Sequence, residues 1–507
     1  MIEPGDEEKA QAVLRPAVGD GVTINLSLVS HTNAGKTTLV RTLIGQDVGE
    51  VRDAAHVTEM ATGHIMLQSG GDTLMLWDTP GFGDTARLLK RLKLAGNPIG
   101  WMLTQIWDRF RERPLWSSQQ AVRNVRDHGD VILYMINASE DPEDAGYVAP
   151  EMAILAWVGK PVVLLLNQMG PPSADAGAEE ERWRRHLSDS PVMRGALTLD
   201  AFARCWVQEG TLLETIAPLL DPRKQPALRR LLRTWEEKNV ARFRASMHIL
   251  AVQLAAAAAD SEALSVQSWQ DKAGALLLSL RKRESPEAGR AMARLTERLA
   301  NGTRTSTEQL IHAHGLSGKA AREVLRRLES DYASTTPAKE GFAAMLGGLM
   351  SGALGGLAAD LAAGGMTLGG GMIVGGILGA VGAGGLARGY NMVRGEDAPA
   401  VRWSEDFFES LVRAALLRYL AVAHFGRGRG DYAEGEHPAY WLEAVDAVVA
   451  GRRGEVRAIW VQGRNDQAAK LIAGVESVLA ACAADLLARF YPGSRAILGR
   501  EPTEPRG

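Results

Sequence analysis

A glycine-lysine-threonine sequence follows an apolar run near the start of the chain, in the stretch "SLVSHTNAGKTTLVRTL". Gly35 lets a backbone close around an anion, Lys36 is placed to reach the β- and γ-phosphates of a nucleotide, and the Thr37 hydroxyl is a ligand for Mg²⁺. Ser30 stands where this motif usually begins with glycine. We predict a phosphate-binding loop, with Lys36 on a solvent-facing turn.

A second motif, "TLMLWDTPGFGD", places Asp78 at the end of an apolar run with Pro80 and Gly81 beyond it. A carboxylate at this point can hold the Mg²⁺ shell, and the amide of Gly81 can follow the γ-phosphate as the loop moves. Asp-Thr-Pro-Gly alone is an ordinary turn. Placed after a phosphate-binding loop, it predicts a nucleotide switch.

Both motifs need strands and helices to position them, and the sequence supplies these between Val22 and about Leu220. Short apolar runs alternate with helical patterns there, which is typical of a parallel sheet covered by helices. The runs are "VTINLSLV", "GHIMLQ", "TLMLWD", "VILYMIN", "PVVLLLN" and "GALTLDAF". We predict an α/β fold, a P-loop NTPase domain with a mostly parallel sheet.

The chain of 507 residues is too long for one core. We predict a flexible N-terminal tail (1–20), a nucleotide domain (21–221) with a helical insertion (86–130), and a mainly α-helical C-terminal domain (222–507). The insertion carries basic residues and tryptophans at helical spacing. A partner or membrane surface is one interpretation of that stripe, but helices packed on the domain's own flank are favoured.

A Gly/Ala-rich segment (342–390) lies within the C-terminal domain. Small residues recur every fourth position in two arms, which predicts a helical hairpin with close backbone packing: Gly348, Gly352, Gly356, Gly371, Gly375, Gly379 and Ala383. Each arm approaches the roughly 20 residues that span a bilayer, although Asp360 would be costly in lipid. A membrane hairpin and a hairpin buried by its own domain both remain open.

Composition limits the class of partner and the compartment. The formal net charge is -3, and no nucleic-acid-binding module is recognisable, so nucleic acid is not indicated as a partner. The only cysteines, Cys205 and Cys482, lie far apart without metal spacing, and the N-terminus lacks the apolar core of a secretory signal. We expect a cytoplasmic location, with peripheral binding at the inner membrane as an open extension.

With these motifs the chain resembles the Era-like bacterial P-loop GTPases, closest to members with a long helical C-terminal domain of uncharacterised function. The resemblance is carried by "HTNAGKTTL", by "HVTEM", by "DTPGFGD" and, more loosely, by "VRWSEDFFESLVRAALLRYLAVAHFGRGRGDY". It implies GTP as substrate and Mg²⁺ as cofactor. It further implies that Lys36, Thr58 and Gly81 act in catalysis and that Thr37, Thr58 and Asp78 bind the metal.

The resemblance also implies the remaining contacts to the nucleotide. They come from the loop and from the ends of later strands: Asn33, Ala34, Gly35, Lys36, Thr37, Thr38, Asn167 and Ala201. In relatives whose loop reads Asn-x-Gly-Lys, the asparagine helps to hold K⁺ beside the phosphates, so K⁺ is a further cofactor to test. Phe82 stands where Ras-like enzymes carry the glutamine that orients water, so we expect slow hydrolysis.

The chain departs from the family in the motif that recognises the guanine base. Guanine selectivity in the family depends on Asn-Lys-x-Asp, but residues 167–170 read Asn-Gln-Met-Gly, so we expect weakened selectivity for guanine. We predict a slow GTPase that acts as a molecular switch, coupled to membrane association through the helical domain. A soluble assembly or ribosome-linked GTPase and a degenerate nucleotide-binding scaffold are the alternatives. A homodimer through the nucleotide domain is a further partner to consider.

Overall fold

A computed structural model describes most of the chain. The described residues are 21–32, 34–44, 61–105, 112–167, 176–199, 205–264, 286–316, 390–394, 399–424, 439–463, 467–491 and 494–498. Contacts divide the chain into two units. The first contains residues 1–204, 208–237 and 426–430, and the second contains residues 205–207, 238–425 and 431–507.

A six-stranded sheet forms the centre of the first unit, in the order β2-β3-β1-β4-β5-β6. The strands are β1 (Thr23–Ser30), β2 (Thr62–Ser69), β3 (Asp72–Asp78), β4 (Val131–Asn137), β5 (Val162–Asn167) and β6 (Met193–Thr198). Only β2 runs antiparallel to its neighbour. The mostly parallel sheet and all six predicted strands are therefore confirmed.

The antiparallel strand results from a tight hairpin. Gly70 and Gly71 connect β2 to β3 with φ of 55° and 89°, values in the left-handed region that glycine adopts without steric cost. Two such residues are typical of the two-residue turn that matches strand twist. The central strands β4 and β5 are almost wholly buried, as their continuous apolar sequences predict.

Helices cover the sheet. They are α1 (Lys36–Ile44), α2 (Thr85–Leu92), α3 (Pro98–Thr104), α4 (Arg113–Asp127), α5 (Val148–Val158), α6 (Ala176–His186) and α7 (Trp206–Ile216), followed by a 3₁₀ turn (Ala217–Leu219). Helices α2 to α4 occupy the predicted insertion. Their apolar residues join the core around β4, and Trp101 and Trp116 pack against it, so these two tryptophans face the domain's own flank. Trp107 lies outside the described residues.

The long helix α8 (Gln225–Ala259) begins in the first unit, which includes residues up to Glu237. Lys224, just before α8, donates to Asp130 at 2.7 Å, and Arg230 donates to Asp72 at 2.7 Å. These pairs explain why the contacts of the first unit extend past Asp221, where the helical sequence pattern begins.

The second unit is mainly helical, as predicted. Besides the rest of α8, its helices are α9 (Pro286–Ala313), α10 (Glu405–Ala423), α11 (Ala439–Gly451), α12 (Arg453–Gln462), α13 (Ala468–Phe490) and α14 (Ser494–Leu498). The buried Arg418 of α10 donates to Thr303 O at 3.2 Å, to Thr307 Oγ1 at 2.8 Å and to Gln253 Oε1. These hydrogen bonds join α10 to α8 and α9.

The helical pattern did not indicate a small sheet in the second unit. Strands β7 (Ser261–Ala263), β8 (Tyr390–Arg394) and β9 (Pro399–Trp403) are antiparallel in the order β7-β9-β8. Buried Arg402 donates to Ala258 O at 2.8 Å and lies over the ring of Trp460, 4.8 Å from its centroid. The sheet therefore packs against the ends of α8 and α12. The predicted Gly/Ala-rich hairpin lies outside the described residues, except at Tyr390.

Among the described residues, α13 alone is long and apolar enough to cross a membrane. Its most apolar 18-residue window has a mean hydropathy of 1.8, and 44% of that window is buried within the protein. Core helices of globular domains pass the same test of length and composition. The finding alone is weak evidence for a membrane span.

Candidate nucleotide-binding site

The phosphate-binding loop connects β1 to α1. Strand β1 ends at Ser30, and α1 begins at Lys36. Between them Gly35 has φ of 87°, a conformation that L side chains rarely adopt, so a glycine is required there. Because the first N–H groups of a helix have no partner within the helix, the loop and the head of α1 together form an anion site.

Lys36 is buried, and the prediction of a solvent-facing lysine is wrong. The residue is 7% exposed, and its ammonium donates to Ser30 Oγ at 2.8 Å. Burial lowers the pKa of Lys36, while the charges of Asp78 and Glu151 oppose that shift. Two features hold the lysine in place: its aliphatic stem is buried within the protein, and its ammonium is hydrogen-bonded to Ser30, the serine that replaces the usual glycine.

The predicted metal ligands Thr37 and Asp78 meet at the head of α1. Thr37 Oγ1 donates to Asp78 Oδ2 at 2.8 Å, and the Asp78 side chain is buried at the end of β3. A hydroxyl and a carboxylate are the hard oxygen ligands that Mg²⁺ prefers. The donor set therefore fits Mg²⁺ bound between β3 and α1.

The segment after Asp78 runs alongside the phosphate-binding loop. Phe82 N–H donates to Ser30 O at 2.9 Å, and Thr32 N–H donates to Phe82 O at 3.2 Å. A Cβ built on Gly81 would lie 3.0 Å from Thr32 Cα and 3.2 Å from Lys36 Nζ. The backbone of Gly81 is therefore in close contact with the loop and the lysine, where the amide was predicted to act. The Phe82 side chain is fully buried in the core.

Asn167, at the end of β5, is fully buried and donates from Nδ2 to Ala34 O at 3.0 Å. It thus holds the loop from the side opposite Asp78. Thr38 is a buried residue of α1. The predicted site residues Asn33, Thr58 and Ala201 lie outside the described residues, so their roles stay predictions.

Sequence reasoning missed a cluster beside the loop, formed by the half-buried His31 and two buried side chains. His31 Nδ1 lies 2.6 Å from Glu151 Oε1, and Tyr134 OH donates to Glu151 Oε2 at 2.7 Å. The three residues are far apart in sequence and match no motif. A histidine inside the phosphate-binding loop was the only available signal.

Two family models match the chain. Residues 193–470 match a domain of unknown function (DUF3482), and residues 25–168 match MMR_HSR1, described as a 50S ribosome-binding GTPase. The second match contains the loop, Asp78 and Asn167. The first unit therefore contains a P-loop GTPase domain, and most of the DUF3482 match follows it.

One curated relative and two solved structures with partial similarity illustrate what the chain is similar to. GTPase Der of Staphylococcus haemolyticus (strain JCSC1435) is 24% identical over 207 residues, which is 40% of this chain and 40% of Der. Era of Aquifex aeolicus, bound to GDP.AlF4-, has 20% identity and a TM-score of 0.28, over 39% of this chain and 57% of that chain. NFeoB of S. thermophilus, bound to mGMPPNP, has 13% identity and a TM-score of 0.23, over 45% of this chain and 70% of the NFeoB chain. The chain thus covers less than half the length of Der.

Proposed function

The chain belongs to the DUF3482 family, here with a P-loop GTPase domain, and we propose that it is a Mg²⁺-dependent GTP hydrolase that acts as a slow molecular switch. The observation that carries the proposal is the convergence at the head of α1. Lys36 and Thr37 begin α1, while Asp78 and Gly81 belong to a segment about 40 residues further along the chain, and the two segments meet there. A single phosphate-binding loop could be fortuitous, but this combination is what triphosphate binding needs.

In this proposal each part of the site has one role. Lys36 neutralises charge on the β- and γ-phosphates, and Thr37 and Asp78 hold Mg²⁺, which supplies charge stabilisation at the phosphates when bound. Thr58, the predicted threonine of the first switch segment, completes the metal site. Gly81 senses the γ-phosphate through its amide. Loss of that phosphate would release the segment that contains residues 78–82, and this release is the basis of switching.

Slow hydrolysis follows from the residue after Gly81. Phe82 is buried in the core and has no group that can orient an attacking water. The proposed intrinsic rate is on the order of 10⁻⁴ to 10⁻³ s⁻¹, as for a GTPase without a stimulating partner. A K⁺ ion held beside Asn33 is part of the proposal, and faster hydrolysis in KCl than in NaCl is the expected sign of it.

Binding of a fluorescent GTP analogue to the full chain tests the proposal. We expect saturable, Mg²⁺-dependent binding that is lost in Lys36→Met, which removes the ammonium but retains an unbranched apolar stem. Lys90→Ala, at an exposed residue of α2, is the matched control for loss of a lysine charge. Equal affinity in a folded Lys36→Met variant would remove the assignment of the site.

A ribosome-linked role is the second candidate, favoured by the description of the MMR_HSR1 family as 50S ribosome-binding GTPases. Cosedimentation with 50S subunits in the presence of a non-hydrolysable GTP analogue distinguishes this role from a switch at a membrane. We further propose a cytoplasmic protein, for which the two buried, free cysteines Cys205 and Cys482 are suited.

A further inference from the structure

The carboxylate of Glu151 has no role in the proposed GTPase mechanism, yet it is fully buried beside the phosphate-binding loop. It lies in the first turn of α5, with no side-chain surface exposed. Burying a carboxylate is costly unless strong hydrogen bonds or charges compensate for the lost water. The partners of Glu151 therefore indicate what its burial achieves.

Each carboxylate oxygen has its own partner. His31 Nδ1 lies 2.6 Å from Oε1, and Tyr134 OH donates to Oε2 at 2.7 Å. Burial raises the pKa of Glu151, while the hydrogen bonds from His31 and Tyr134 oppose that rise. Burial also raises the pKa of Tyr134 well above its usual range, so the phenol keeps its proton and remains a donor. One carboxylate thus joins the end of β1, strand β4 and helix α5.

His31 connects this carboxylate to the nucleotide site. It follows Ser30, whose hydroxyl accepts from Lys36, and its backbone pairs with Phe82 in a parallel bridge. Its ring stacks on Tyr147, with centroids 4.4 Å apart. The histidine is therefore fixed on one side by stacking and on the other by Glu151, at the point where the strand becomes the loop.

We infer that Glu151 is a positioning residue for the phosphate-binding loop, and that it acts through His31. The hydrogen bond sets the direction in which the chain leaves β1, so the loop is arranged for phosphate before the nucleotide arrives. Preorganisation of this kind raises affinity because less conformational freedom is lost on binding. The inference rests on the proposed nucleotide binding and adds α5 to the elements that control it.

A purely structural role for Glu151 makes a different prediction. If the carboxylate only anchored α5 to the sheet, the bond from Tyr134 would serve as well as the contact with His31. Loss of either would then affect stability without a specific effect on nucleotide affinity. The two roles can be separated by removing each partner in turn.

A double-mutant cycle on the full chain tests the inference, with a fluorescent GTP analogue as the probe. His31→Phe keeps a ring to stack on Tyr147 and removes the Nδ1 contact, while Glu151→Ala removes the carboxylate. We expect each single variant to weaken binding roughly tenfold. The double variant should weaken binding by about the same factor, because both substitutions remove the same contact between His31 and Glu151. Glu151→Gln, which retains a hydrogen-bonding oxygen, should restore most of the affinity.

Tyr134→Phe is the matched control, because it removes the other hydrogen bond from the same carboxylate. We expect a lower melting temperature with less than about twofold loss of affinity. The inference is overturned if the effects of His31→Phe and Glu151→Ala multiply, or if Tyr134→Phe weakens binding as much as Glu151→Ala. If Glu151→Ala does not fold, the cycle is run with Glu151→Gln, for which a smaller and again non-multiplying loss is expected. A wild-type chain that binds no nucleotide would instead refute the proposed function.

Discussion

The substitution Gly81→Ala would place a methyl group against the phosphate-binding loop. Its Cβ would lie 3.0 Å from both Cα and Cγ2 of Thr32, and 3.2 Å from Lys36 Nζ. The lysine end is flexible, but Thr32 Cα is backbone, and Thr32 N–H is bonded to Phe82 O. The segment after Asp78 must therefore move away from the loop to accommodate the methyl group.

Overpacking of this kind costs about 1 to 3 kcal/mol. If the strain falls on the GTP-bound form, the affinity for GTP decreases roughly 5- to 150-fold. Since the Gly81 amide is proposed to contact the γ-phosphate, we expect the loss to be larger for a GTP analogue than for GDP. A general loss of stability would instead weaken the binding of the GTP analogue and of GDP by the same factor.

Fluorescence titration with GTP and GDP analogues measures this difference, and thermal melting monitors the fold. Gly195→Ala in β6 is the matched control, because its Cβ would meet Thr215 Cγ2 at an ordinary contact distance of 3.4 Å. Unchanged affinity for both nucleotides in Gly81→Ala, or an equal loss for both, would refute the assignment of this segment as the γ-phosphate sensor.

Three further predictions concern the base, the helical unit and the membrane. Competition among unlabelled GTP, ATP and xanthosine triphosphate should show a modest preference for GTP, because Gly170 cannot accept the guanine hydrogen bonds that the family's aspartate accepts; a preference for ATP would contradict it. Burial lowers the pKa of His314 to about 3 and that of His424 to about 4, so the unfolded chain takes up protons first as the pH falls below 6.5. Urea unfolding should therefore show the second unit destabilised by about 2 kcal/mol per histidine between pH 7.5 and pH 5, and an undiminished pH dependence in the double variant His314→Gln/His424→Gln would exclude this cause. Flotation with liposomes should occur with GTP and not with GDP if the Gly/Ala-rich segment meets a bilayer, and equal flotation in both states would exclude control by the nucleotide.

The nucleotide domain could be predicted from sequence because its signals are local. Each central strand is a continuous apolar run, and Gly35, Lys36 and Thr37 are adjacent, so spacing alone indicated the loop and its chemistry. Asp78 could be added because it ends an apolar strand at the expected place. Local patterns of this kind require no knowledge of which strands pair.

The features that sequence reasoning missed depend on contacts between distant residues. The burial of Lys36 depends on how the loop packs against other segments, and Glu151 approaches the loop only after β4 and α5 are in place. Strand β7 has three residues, too few for an alternating pattern, and it exists because Ser261 pairs with Arg402. These features follow from tertiary packing, which no single segment of the sequence encodes.

Release of inorganic phosphate from GTP by the purified full chain tests the central claim most directly. We expect slow but measurable release that requires Mg²⁺, stops on chelation with EDTA and is absent in Lys36→Met and Asp78→Asn. Lys90→Ala should release phosphate at the wild-type rate. No release above background would contradict the claim and leave a nucleotide-binding scaffold, and equal release by wild type and Lys36→Met would show that the site described is not the source of the activity.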